Sequence, residues 1–147
     1  MIPTFNEKGN LPPGLHKATW EEFTERYGVT THRKRLIELM QKLIVHLKEV
    51  QCQNLFVDGS FVTNKEVPND YDACWDVTGV KIERMDPVLL VFTTEGKEKM
   101  VIKYGGDLRP DKFSPFETNV SYLEFFQIDR EGDRKGIIHL SLQEIEL

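Results

Sequence analysis

Apolar residues recur every three or four positions between about residues 31 and 50, and this spacing predicts a long amphipathic helix. The apolar stripe comprises Leu36, Leu39, Met40, Leu43, Ile44, Leu47 and Val50. A shorter helix is predicted before it, because Thr19 and Glu22 form a capping box and Gly28 is a favourable stop. A third helix is predicted from about 95 to 104, ahead of a glycine pair.

Short apolar runs bounded by turn residues predict β-strands in three places. These runs are Leu55–Val57, Tyr71–Trp75 and Gly136–Leu142. Residues 1–18, rich in glycine and proline, are predicted to form an N-terminal arm, and residues 107–118, with two prolines, a loop. The pattern therefore predicts a single α/β domain across residues 1–147, in which the long helix packs on a small mixed β-sheet.

The composition is that of an ordinary globular protein, with 39% hydrophobic and 29% charged residues. The formal net charge of −5 argues against broad coating of nucleic acid. No apolar run approaches the ~20 residues of a membrane span, and the start, MIPTFNEKGN, lacks the features of a secretory signal. We therefore expect a cytoplasmic protein with no membrane partner, in which Cys52 and Cys74 are reduced thiols.

Candidate chemistry concentrates in residues 58–76, DGSFVTNKEVPNDYDACWD. Gly59 permits a sharp turn and the close approach of a phosphate, because it has no Cβ. If a strand starts at Asp70, then Asp70 and Asp72 share one face of it. Two carboxylates ~4 Å apart repel by roughly 4 kcal/mol at an effective dielectric near 20. A cation between them relieves that repulsion, and Mg²⁺ prefers one or two carboxylates together with phosphate oxygens.

This segment resembles the signature of the nucleotidyltransferase superfamily: an apolar strand, a Gly-Ser pair, a spacer, and Asp-x-Asp on the next strand. The resemblance implies a polymerase-β-like fold, in which Gly59 and Ser60 hold the triphosphate of a nucleoside triphosphate. It also implies that Asp70 and Asp72 bind Mg²⁺. A wider stretch, from LPPGLHKATWEEF to KGIIHL, is similar to a family of small, poorly characterised prokaryotic nucleotidyltransferase-like proteins.

The resemblance also implies a third carboxylate on a later strand, acting as a base or metal ligand. The predicted strand Gly136–Leu142 carries none, so another acidic residue must fill the role. Asp76, Asp107 and Glu124 are the alternatives. Asp76 is too far along its strand, about 13 Å from Asp72 at ~3.3 Å per residue. Asp107 is preferred, because the preceding glycine pair would let a short loop swing over the Asp-x-Asp strand.

The start of the long helix carries four basic residues in a row, His32 to Arg35. Positive charge at a helix N-terminus opposes the macrodipole, and together they attract anions. We therefore predict that Arg33 or Arg35 contacts phosphate or RNA. The alternative is a solvated charge run offset by neighbouring glutamates.

The leading hypothesis is a Mg²⁺-dependent nucleotidyltransferase that moves a nucleoside monophosphate from a nucleoside triphosphate to a protein or RNA hydroxyl. Small members of the superfamily often belong to toxin–antitoxin or phage-defence pairs, so the resemblance implies a cognate toxin or antitoxin partner. One alternative is a catalytically degenerate nucleotidyltransferase fold that binds a partner protein. A weaker alternative is an RNA-binding domain that uses the basic helix start.

Overall fold

The computed structural model describes residues 1–115 and 119–147 and has an α/β fold. In this part of the chain, five strands form one mixed sheet: β1 (Gly14–Ala18), β2 (Asn54–Asp58), β3 (Tyr71–Trp75), β4 (Gly106–Pro110) and β5 (Gly136–Ser141). The α-helices are α1 (Trp20–Tyr27), α2 (Thr31–Glu49), α3 (Thr94–Tyr104) and the single turn α4 (Tyr122–Phe125). The prediction of an α/β fold with a small mixed sheet is confirmed.

The strand order across the sheet is β1-β5-β2-β3-β4. The central strand β2 is antiparallel to both of its neighbours, β5 and β3. The two outer pairs, β1 with β5 and β3 with β4, are parallel. Paired residues on neighbouring strands share a face of the sheet, so this register decides which side chains meet.

Helices α1, α2 and α3 contribute to one continuous apolar core on one face of the sheet. The predicted long helix is confirmed as α2, which begins after Thr30, whose hydroxyl accepts a hydrogen bond from the Arg33 N–H at 3.1 Å. Its buried apolar side chains are Leu36, Ile37, Met40, Leu43, Ile44 and Leu47. Because a fully buried aliphatic side chain contributes roughly 1.5–3 kcal/mol, this stripe is a major source of stability. No helix in the described ranges is long and apolar enough to cross a membrane.

The opposite face of the sheet carries a smaller apolar cluster of Phe56, Cys74, Phe126 and Ile137. Side chains of α4 pack against this cluster and cover only part of the face. Charged side chains of β2, β3 and β4 also lie on this face, and they line a cleft. We call the two sides of the sheet the helix face and the cleft face.

Two edge strands differ from the sequence-based prediction. Residues 14–18 were predicted as part of an arm, yet they form β1, which pairs with β5 from Gly14–Gly136 to Ala18–Leu140. Residues 106–110 form β4, although a loop was predicted from 107 to 118; the last three residues of that loop lie outside the described residues. Both strands are short, carry few apolar residues, and are held by parallel pairing to strands that are distant in sequence or joined through a helix.

Candidate active site

Three carboxylates lie side by side on three neighbouring strands of the cleft face. Asp58 of β2 is paired with Asp72 of β3, and Asp72 is paired with Asp107 of β4. Strand β3 has the predicted bounds, Tyr71–Trp75, so Asp70 lies just before the strand rather than within it, and it lines the same cleft. The fold thus gathers four acidic side chains around the end of the Asp-x-Asp strand.

Burial and repulsion from neighbouring carboxylates raise the pKa values of Asp70 and Asp72. The pKa of Asp72 is raised to about 7, chiefly by burial and in addition by the neighbouring charges of Asp70, Asp58 and Asp107, against the opposing charge of Lys97. Burial likewise raises the pKa of Asp70. The protonated form of Asp72 is therefore well populated near neutral pH. Binding of a cation stabilises such a carboxylate, because the cation replaces the proton and reduces the repulsion from neighbouring negative charges.

Asp58 is the most deeply buried of the four, with 3% of its surface exposed. Burial raises its pKa to about 6, while the ammonium of Lys135 and the N–H of Gly59 act in the opposite direction. The Lys135 Nζ lies 3.2 Å from its Oδ1. Sequence analysis did not select Asp58 as a site residue, although the alternation along Leu55–Asp58 places it opposite the core side chains of the same strand.

Gly59 has a φ of +81°, in the region that residues with side chains rarely adopt. A Cβ on this residue would lie only 2.3 Å from Asp72 Oδ2. The glycine is therefore required first by the approach of the backbone to Asp72. The sequence suggested a different reason, that glycine leaves room for a phosphate, and this explanation stays a prediction.

Ser60 opens a short 3-10 turn, Ser60–Val62, at the edge of the cleft. The carbonyl of Ser60 accepts hydrogen bonds from the Thr63 N–H at 3.2 Å and the Thr63 hydroxyl at 2.6 Å. Among the described residues, the hydroxyl of Ser60 makes no hydrogen bond of its own. The predicted Gly-Ser turn is thus present beside the Asp-x-Asp strand, with a hydroxyl that can bind an anion.

A cleft of about 1280 Å³ joins the turn to the carboxylates. Charged side chains of both signs line it. The anionic ones are the four aspartates and Asp129, and the cationic ones are Lys65, Lys97, Arg109, Arg130 and Lys135. Arg109 Nε donates to Asp107 Oδ1 at 2.9 Å, and Lys97 Nζ lies 4.0 Å from Asp107 Oδ2. Anionic and cationic groups in one cleft suit a ligand that carries phosphates together with divalent metal.

Arg33 and Arg35, predicted to bind phosphate, are not among the residues that line this cleft. Arg33 is buried, and its guanidinium donates to the carbonyls of Phe61 at 2.7 Å, Thr63 at 3.1 Å and Lys65. These hydrogen bonds therefore stabilise the loop that follows the Gly-Ser turn. Local sequence could not indicate this role, because the loop is about 30 residues away in the chain. Arg35 is exposed on the outer side of α2. The predicted phosphate contacts have no support in this geometry.

The three alternatives for a third carboxylate occupy different places. Asp107 lies on β4 beside Asp72, so the prediction that it sits on a swinging loop is corrected: a strand holds it in place. Asp76 follows the far end of β3, where it accepts a hydrogen bond from Asn54 Nδ2 at 2.9 Å. Glu124 is exposed on α4 and does not line the cleft. Of these three, only Asp107 lies beside Asp72.

Within residues 1–115 and 119–147, no three His, Cys, Asp or Glu side chains are grouped closely enough to hold a metal ion by themselves. The donors that are present, carboxylate oxygens, are those that Mg²⁺ prefers, and Mg²⁺ is usually bound by one or two carboxylates plus substrate phosphates. Asp70 and Asp72 therefore fit a Mg²⁺ ion that arrives with a nucleotide better than a metal held by protein alone.

Comparison with known proteins identifies the family to which this chain belongs. Residues 3–141 match the family of unknown function DUF6932. The chain belongs to this family. The match runs from the N-terminal arm to the last residue of β5, so the sheet and its carboxylates are features of a DUF6932 protein. No curated protein and no solved structure matches the chain.

Proposed function

We propose that this DUF6932 protein is a Mg²⁺-dependent nucleotidyltransferase. A hydroxyl oxygen of a protein or RNA acceptor attacks the α-phosphorus of a nucleoside triphosphate; the bond to the bridging oxygen breaks, and pyrophosphate leaves. The observation that carries the proposal is the register of β2, β3 and β4, which sets Asp72 beside the Gly59-Ser60 turn on one side and beside Asp107 on the other.

Asp70 and Asp72 would hold Mg²⁺, which neutralises phosphate charge and aligns the reacting oxygens when it is bound. The raised pKa of Asp72, about 7, makes this carboxylate ready to exchange a proton for a metal ion. Asp107 lies on the adjacent strand and would accept the proton of the attacking hydroxyl or complete the metal's ligands.

The triphosphate would lie along the Gly59-Ser60 turn. Lys65 and Lys97 line the same cleft and are exposed, so their ammonium groups can reach a ligand. We assign to these two lysines the phosphate-binding role that the sequence suggested for Arg33 and Arg35. Developing negative charge on the leaving pyrophosphate is stabilised by fixed cations of this kind.

A second candidate function is a partner-binding module with a degenerate site. It is favoured by the ion pairs Arg109–Asp107 and Lys135–Asp58, which already neutralise two of the four carboxylates. It is disfavoured by Asp70 and Asp72, whose crowding serves no packing purpose. For either function, we propose that the protein is cytoplasmic and that it binds a cognate toxin or antitoxin protein.

The decisive experiment is incubation of the protein with each α-³²P nucleoside triphosphate, Mg²⁺ and cell lysate. We expect label in protein or RNA, distinguished by protease and nuclease treatment.

The Asp70→Asn, Asp72→Asn variant should transfer none, whereas the matched control Asp76→Asn, at the other end of β3, should be active. Asp107→Asn should lose transfer but keep nucleotide binding, and Glu124→Gln should behave as wild type. Absence of transfer by the wild type with every nucleotide would favour the partner-binding function.

A further inference from the structure

The cleft has a second half that the proposed chemistry leaves unexplained. Beyond the carboxylates it is lined by four aromatic side chains, Phe92, Tyr122, Phe125 and Phe126. Phe92 is 37% exposed and Phe125 is 44% exposed. Single exposed phenylalanines are ordinary on a surface, but here they line the same concave site as a charged centre. Concave sites with aromatic walls and a few convergent polar groups are typical of ligand pockets.

The rings of Tyr122 and Phe125 are anchored to the sheet through contacts with Phe126. This side chain is 9% exposed and packs in the apolar cluster of the cleft face. Its ring centroid lies 5.8 Å from that of Tyr122 and 6.1 Å from that of Phe125. The short helix α4 is capped by Ser121, whose hydroxyl accepts from the Glu124 N–H at 3.2 Å. Buried contacts therefore hold the exposed ring of Phe125 at the cleft.

Arg109 connects the aromatic half of the cleft to the carboxylates. Its Nε donates to Asp107, and its Cζ lies 5.1 Å from the ring centroid of Phe92 and 5.8 Å from that of Tyr122. One arginine side chain thus spans the distance between the proposed reaction centre and the aromatic rings. A nucleotide also has this layout, with a flat aromatic base joined to phosphates through a sugar.

We propose that the base of the nucleoside triphosphate stacks on Phe92 and Phe125, and that Arg109 packs against the edge of this base site. The inference rests on the proposed function, because it takes the phosphates to lie at the Gly59-Ser60 turn. Every base has a π-face, so stacking tolerates all four bases, with a preference set by ring area rather than by hydrogen bonding. The substrate class is accordingly a nucleoside triphosphate with modest selectivity for purines.

The test compares ligands with and without a base by isothermal titration calorimetry in excess Mg²⁺. We expect the wild type to bind ATP about tenfold or more tightly than inorganic tripolyphosphate, with CTP between them. Phe92→Leu and Phe125→Leu each should weaken ATP binding several-fold and leave tripolyphosphate binding unchanged. That unchanged binding also shows that each variant is folded. Phe113→Leu is the matched control, since Phe113 is 57% exposed but does not line the cleft.

The outcomes separate this inference from the proposed function. Equal wild-type affinity for ATP and tripolyphosphate would overturn the base site and leave the phosphate site standing. Unchanged ATP binding in both leucine variants, with loss of labelled transfer, would overturn it as well and assign the aromatic half to the acceptor. If the wild type binds neither ligand, the proposed function fails and the base site fails with it.

Discussion

Neighbouring residues of β2 and β3 lie in opposite environments. Val57 and Ala73 are fully buried in the apolar core of the helix face, whereas Asp58 and Asp72, next to them in sequence, are paired on the cleft face. On the helix face, each buried side chain gains free energy by leaving water. On the cleft face, burial raises the pKa values of Asp58 and Asp72, and repulsion from neighbouring carboxylates acts in the same direction on Asp72, so these charged groups destabilise the folded state. The side chains of the helix face stabilise the fold. The buried carboxylates of the cleft face lower its stability, so stability does not explain why they are there.

The strongest test of this contrast places a carboxylate on the helix face. Val57→Asp puts an unpaired charge among aliphatic side chains, and we expect it to lower the free energy of unfolding by about 3–5 kcal/mol. Thermal melting followed by circular dichroism at pH 8 measures the loss. Val57→Ala is the control, because it removes methyl groups without adding charge. If both variants melt within a few degrees of each other, the helix face tolerates charge and the contrast is false.

The reverse substitution removes a charge from the cleft face. The folded pKa of Asp72, about 7, exceeds the ordinary value near 4, so the folded state binds the proton more tightly. This contribution to stability is fully present below pH 4 and is lost as the pH rises through 7. Asp72→Asn should therefore be more stable than wild type at pH 8, by as much as about 4 kcal/mol, and no more stable at pH 4. A difference in melting temperature that does not change with pH would contradict the assigned cause.

Local sequence patterns predict some elements of this fold and not others. Helices α1 and α2 follow from a capping box, a threonine cap and a three-and-four spacing, all of which are local. Strands β2, β3 and β5 follow from apolar runs. Strands β1 and β4 cannot be predicted from local apolar runs, because each has few core residues and is stabilised by parallel pairing with a partner elsewhere in the chain.

The candidate site divides in the same way. Gly59, Ser60, Asp70 and Asp72 lie in one short motif, so the sequence indicates them directly. The positions of Asp58 and Asp107 beside Asp72 depend on the register of three strands, which no local pattern determines. Arg33 shows the converse case. Its cationic neighbours suggested an anion site, but contacts to the loop at residues 61–65, about 30 positions away, occupy its donors.

A divalent cation should relieve the repulsion on the cleft face. Mg²⁺ at 100 times its dissociation constant should stabilise the wild type by about 2.7 kcal/mol, raising its melting temperature at pH 8. At pH 5.5 the rise should shrink, because Asp72 is then protonated and the proton competes with the metal. The Asp70→Asn, Asp72→Asn variant should show little response at either pH. Asp76→Asn is the matched control, and an equal response in all three proteins would place the metal elsewhere.

The smallest expected effect concerns Gly59, whose conformation is tied to the cleft face by steric contact. Gly59→Ala should lower the free energy of unfolding by about 1–3 kcal/mol, because φ of +81° strains any side chain. Part of that loss should come from the contact with Asp72 Oδ2, 2.3 Å from the added Cβ. Asp72→Ala removes the oxygen, so Gly59→Ala should be less harmful in that background, with a coupling of roughly 0.5–1 kcal/mol in a double-mutant cycle.

The cycle separates two explanations for the glycine by urea unfolding without any nucleotide. Additive losses would mean that backbone strain alone requires Gly59 and that its distance from Asp72 is incidental. A measurable coupling would mean that the turn is fitted to the carboxylate, so that the Gly-Ser pair and the Asp-x-Asp strand form one steric unit before any ligand binds. In that case, a larger substitution such as Gly59→Val that abolished nucleotide binding would not by itself show that the turn binds phosphate, because the added side chain would also displace Asp72.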